Sequence, residues 1–72
     1  MNKPSAPFTP SHRITWQINF DDETDDRRRI EGEWWCCDNT QRRWFRRALT
    51  RHGAVEFHFE DQQEATMFWL AN

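Results

Sequence analysis

The sequence predicts an α+β fold: a two-layer sandwich with a small, three-stranded, mainly antiparallel sheet and two helices on one face, in the order β-β-α-β-α. Three observations predict it. Apolar side chains alternate over 12–20, 28–37 and 54–60, the period of half-buried strands. The stretches after Asp38 and after Asp61 gather their apolar residues at helical spacing instead. The chain has 72 residues, including six Phe and five Trp. A fold of this size hides only about 60% of its surface, so aromatics worth on the order of 150–250 Å² each must supply much of the core.

Met1 to Ser11 holds Pro4, Pro7 and Pro10 among Ser5, Thr9 and Ser11. Proline fixes φ and removes a backbone donor. The expectation is a disordered, Pro-rich tail over 1–11, followed by one α+β domain over 12–72.

From His12 to Phe20, Ile14, Trp16, Ile18 and Phe20 share one face of a strand, with Thr15, Gln17 and Asn19 on the other. Asp21 to Asp26 is acidic and reads as a solvated hairpin loop. It lacks the glycine and the closing bidentate Glu of a calcium loop. Arg28 to Cys37 alternates again and is expected to pair with the first strand as an antiparallel hairpin. Trp34 and Cys36 then face the core, while Trp35 and Cys37 point away from it.

Asp38 or Asn39 is a good N-cap, and Gly53 suits a left-handed C-terminal residue. Between them the spacing predicts a helix to about His52. Trp44, Phe45, Ala48 and Leu49 lie on one side of it, and Arg42, Arg43, Arg46, Arg47 and Arg51 on the other. In the strand Ala54–Glu60, Val55, Phe57 and Phe59 point in and Glu56, His58 and Glu60 point out. Asp61 caps a second helix, Gln62 to about Ala71, with Ala65, Phe68 and Trp69 inward and Met67 and Leu70 outside that stripe. A terminal strand over 66–70 is the alternative.

Several chemistries find no support. Adjacent Cys36 and Cys37 do not suit a disulfide, whose Cα atoms sit about 4.4–6.8 Å apart, nor do they form a spaced zinc chelate with His12, His52 or His58. Cys37 precedes a helix N-terminus, which favours a thiolate, but no phosphate loop, Ser elbow or paired-carboxylate motif accompanies it. The expectation is a protein that is not an enzyme and needs no cofactor or metal. No apolar run approaches the ~18 residues of a membrane span, and the N-terminus lacks a signal-peptide core. A cytoplasmic protein without a membrane partner is expected.

The net charge is −2, with twelve acidic residues against ten basic, which argues against simple coating of nucleic acid. Of the basic residues, only Lys3 is a lysine. Arginine favours bidentate partners such as carboxylates, and interfaces favour Trp, Phe, Met and Arg. These features predict a protein partner with an acidic surface, met by Arg42, Arg43, Arg46, Arg47 and Arg51, with Trp35, Met67 and Leu70 as apolar anchors. Nucleic acid on the same basic helix is the alternative, and a second copy of the chain is a further candidate for the apolar residues.

The stretch Val55-Glu56-Phe57-His58-Phe59-Glu60-Asp61-Gln62-Gln63-Glu64-Ala65-Thr66-Met67-Phe68-Trp69-Leu70 resembles the C-terminal strand–helix of many small bacteriophage-encoded accessory proteins. It also resembles the third strand and second helix of RNA-recognition-motif domains. That family's element order differs from the one predicted here, and Glu56, His58 and Glu60 stand where its base-stacking face would be. The phage resemblance implies a viral accessory protein that binds, and regulates or inhibits, a host protein in the host cytoplasm.

Overall fold

The computed structural model describes all 72 residues. The elements are β1 (His12–Gln17), α1 (Glu23–Asn39), β2 (Trp44–Leu49), a single 3₁₀ turn (Thr50–His52), β3 (Ala54–Phe59) and α2 (Gln62–Ala71). The expected class holds: a three-stranded antiparallel sheet with two helices on one face. The order does not. It is β-α-β-β-α, and the sheet runs β1-β3-β2, so β3 takes the centre. Ile14, Trp16 and His12 pair with Phe57, Val55 and Phe59 from one side; Arg46, Ala48 and Trp44 pair with the same three from the other.

The expected hairpin between the first two predicted strands is absent because 28–37 is helical, in the middle of α1. Asp22 caps this helix, its carboxylate accepting from the Thr24 N–H at 3.0 Å, and Glu23, Asp25 and Asp26 fill the first turn, where the helix dipole favours negative charge. The acidic run is therefore a helix start, not a hairpin loop. Asp26 pairs with Arg29 three residues on, and Arg29 with Glu33 a further turn on. Burial nudges the Arg29 guanidinium down, but these two carboxylates outweigh it and raise it. The buried stripe is Gly32 and Cys36, with Trp35 edge-on to Phe68 at 5.5 Å. Trp34 is thus outside and Trp35 partly inside, the reverse of the expectation. Thr40 ends the helix, donating from both N–H and Oγ1 to the Cys36 carbonyl.

The predicted arginine helix is strand β2. Trp44 points to the helices and Phe45 to the opposite face, and both are buried. Gly53 has the expected positive φ of 59°, closing the 3₁₀ turn of the β2–β3 connection. α2 matches its predicted span, with Ala65 and Phe68 buried; Trp69, expected inside, is exposed. Over 66–70 the chain is helix, not strand.

The core gathers Trp16, Ile18, Cys36, Trp44, Val55, Phe57, Phe59, Ala65 and Phe68. Phe68 stacks on Trp16 at 5.2 Å and tilts against Phe57 at 4.7 Å. All six β3 residues are buried, because the sheet is covered on both faces. The second cover is the N-terminal segment, expected to be disordered. Asn2 donates its N–H to the Cys37 carbonyl, and its side-chain amide to Thr40 Oγ1 and the Arg42 carbonyl; the Trp44 indole donates to the Asn2 carbonyl. The Ser5 N–H bonds the Trp44 carbonyl at 2.8 Å, and Phe8 meets Phe45 edge-on at 5.0 Å. No helix is long and apolar enough to cross a membrane.

Candidate functional site

The residues singled out from the sequence do not form one surface. Arg42 and Arg43 lie in the α1–β2 connection, which two carboxylates hold. Glu64 accepts from the N–H groups of Gln41 and Arg42 at 2.7 and 3.3 Å. Glu60 accepts from the Arg43 N–H, Nε and Nη2, the last at 2.9 Å. Hydrogen bonding to Arg43 holds the Glu60 carboxyl below the ordinary range and raises the Arg43 guanidinium. Arg46 faces the helices, its Nε 2.8 Å from Glu33. Arg47, next in the strand, points to the opposite face, 5.9 Å from the Phe45 ring. Arg51 is exposed on the 3₁₀ turn. A helix would have stacked these guanidinium groups in one ridge; a strand divides them between two faces.

The apolar candidates fare differently. Met67 and Leu70 are exposed on α2, and Trp69 joins them. Trp35 is half-buried between the helices, and Trp34 takes the outward position on α1. The only charged residue of α2, Glu64, is turned to the backbone of Gln41 and Arg42. The outer side of α2 is therefore uncharged, with Met67, Trp69 and Leu70 exposed beside the polar Gln62, Gln63 and Thr66. The periodicity of Met67 and Leu70 made this legible in the sequence; Trp69 was missed because its neighbour Phe68 alone fills the inward position.

The opposite face of the sheet holds a group that motif spacing did not reveal. Glu56 and His58 alternate on β3 and share that face. Both are 8% exposed. His58 Nε2 lies 3.0 Å from Glu56 Oε1, and His58 Nδ1 lies 2.8 Å from Ser11 Oγ. Arg13 Nη1 reaches Glu56 Oε2 at 3.4 Å. The Phe45 ring stacks on the imidazole, 4.3 Å between centroids and 4° from parallel. Alternation along the strand puts Glu56 and His58 on one face, but nothing in their spacing marks the partners they meet there. Ser11 lies 47 residues away, in a segment whose composition reads as disorder, and has no sequence signal.

No cluster of His, Cys, Asp and Glu has the geometry to hold a metal ion. Neither a protein-family model, nor a curated protein, nor a solved structure matches the chain. The functional reading rests on these two surfaces alone.

Proposed function

We propose that the protein is a binding module that docks another protein on the outer side of its helix layer. One observation carries this reading: Met67, Trp69 and Leu70 are 53%, 67% and 75% exposed on a single ten-residue helix that shows no charge on its outer side. Burying a side chain of this size is worth about 1.5–3 kcal/mol, so three together suit a specific contact. Trp34 on the neighbouring helix, 63% exposed, adds an aromatic of the kind that anchors interfaces. The complementary partner is a segment with an apolar face, such as an amphipathic helix, rather than the acidic surface that an arginine ridge would select.

Site-specific photo-crosslinking tests this in the cells that express the protein. A photoreactive residue at position 70 should yield one protein adduct, and the same residue at position 47 should yield none. Leu70→Ser with Met67→Ser in the crosslinking protein should remove the adduct while leaving the melting temperature within about 2 °C, because exposed side chains contribute little to the fold. Adducts from position 47 and not 70 would restore the arginines as the contact, and nucleic-acid adducts there would establish the alternative partner.

A further inference from the structure

The sheet face opposite the helices carries an arrangement that docking does not use. We propose that Ser11 is a base-activated nucleophile that accepts a short acyl group from an ester and passes it to water.

The order of hydrogen bonds defines the roles. The Glu56 carboxylate beside His58 Nε2 requires a proton on that nitrogen, so the neutral ring turns a lone pair at Nδ1 toward the Ser11 hydroxyl 2.8 Å away. A hydroxyl, a base and a carboxylate that orients the base is the arrangement that activates serine, and it is recognised by roles, not by sequence position. Here the two ring nitrogens exchange places relative to the common hydrolase arrangement, but the chain of bonds is the same. Burial of His58 and Glu56 and the Phe45 ring stacked 4.3 Å from the imidazole fix the base in its plane. Arg13 holds the second Glu56 oxygen, so the carboxylate stays turned to the ring.

Room for a substrate lies beside the hydroxyl. A cavity of about 240 Å³ borders Ser11 and His58 and is walled by Pro7, Phe8, Phe45 and Arg47. This is smaller than the ~300–1,000 Å³ of drug-sized sites, which limits the acyl group to a few carbons against the aromatic wall. Arg47 supplies the positive charge at this cavity for the oxygen that becomes negative during attack.

The step balances without a co-reactant other than water. Ser11 Oγ bonds to the ester carbonyl carbon as its proton moves to His58 Nδ1. The tetrahedral intermediate collapses, the carbon–alkoxy bond breaks, and the alkoxide takes that proton and leaves as the alcohol. Water then attacks the acyl-serine and gives its proton to Nδ1. The ester bond to Ser11 breaks, the proton returns to Oγ, and the carboxylic acid is released.

The test is incubation of the full chain with p-nitrophenyl acetate and, separately, with a fluorophosphonate probe, followed by peptide mass spectrometry. One adduct per chain on Ser11 is expected. Ser5, whose hydroxyl donates only to the Ala6 carbonyl, serves as the internal reference. Ser11→Ala should abolish the adduct, and His58→Gln should slow p-nitrophenol release by about 10²–10⁴-fold, with circular dichroism confirming the fold of each variant. If His58→Gln does not fold, Ser11→Ala decides alone, because it removes only the hydroxyl and leaves the Glu56–His58 pair in place. Labelling of Ser11 no greater than that of Ser5, or a release rate unchanged in Ser11→Ala, would overturn the proposal and leave the relay as a tie that holds the N-terminal segment.

Discussion

Cys36 and Cys37 are neighbours in sequence and opposites in environment. Cys36 is completely buried and Cys37 is partly exposed. Burial, with the nearby Cys37, Glu33 and Glu64 adding to it, pushes the Cys36 thiol far up. A short iodoacetamide pulse on the native protein near neutral pH should therefore alkylate Cys37 and leave Cys36 untouched. Cys36 should react only through global unfolding, slower by at least about three orders of magnitude at typical stabilities. Equal labelling of the two by mass spectrometry would contradict the buried assignment. The sign of the pH effect follows. The unfolded chain gives up this proton first, so the Cys36 contribution to stability is whole below the ordinary thiol range and fades as the pH rises above it. That the two cysteines separate was legible from adjacency alone, because neighbouring residues diverge on a strand and on a helix. Which tryptophan joins Cys36 was not. On a strand Trp34 shares its side; on a helix Trp34 turns away, Gly32 shares the side of Cys36 and Trp35 flanks it, and the helix decided it.

At the scale of elements, β3 and α2 were legible because every local signal agrees: strict alternation from Ala54, then Asp61 and an apolar stripe at Ala65 and Phe68. Two other segments carry signals that disagree. Ile30, Gly32, Trp34 and Cys36 repeat with period two, yet Gly32, Trp35 and Cys36 fit one helical face equally well. The deciding feature lies upstream, in the Asp22 cap and the acidic first turn that precede the arginines. In β2, arginine, alanine and leucine favour helix, but pairing with β3 and burial of Trp44 and Phe45 on opposite faces override that preference. Gly32 shows how closely α1 lies on the sheet. A Cβ there would sit 3.0 Å from Trp16 Cη2 and 3.2 Å from Phe57 Cζ, and both rings are held in the core. Gly32→Ala gains about 1 kcal/mol of helix propensity but overpacks at a cost of about 1–3 kcal/mol. The expected net result is a loss of roughly 1 kcal/mol in urea unfolding; a more stable variant would show that the helix can lift without cost.

At the scale of the molecule, the N-terminal segment is a third layer, and the composition of 1–11 concealed it. Prolines and small polar residues bury little, so no periodicity marks the segment; single residues attach it instead. Asn2 alone engages Cys37, Thr40, Arg42 and Trp44. Asn2→Ala removes the two side-chain bonds, at about 0.5–1.5 kcal/mol each. For a domain of this size each kcal/mol lowers the melting temperature by roughly 4–8 °C, so a fall of several degrees in calorimetry is expected. No change would mean that the segment is detached in solution. The strand order β1-β3-β2 also bears on how the chain comes to be folded during synthesis. Within the first 43 residues β1 has no strand to pair with, and the seats for Ser5, Phe8 and Ser11 do not yet exist, since Trp44, Phe45 and His58 provide them. The β2–β3 hairpin, closed by the tight turn at Gly53, is the sheet's one sequence-local pairing and the one that forms most readily. Assembly therefore runs against the direction of translation: residues that leave the ribosome later make the platform, and Asn2, which emerges before them, is seated after them.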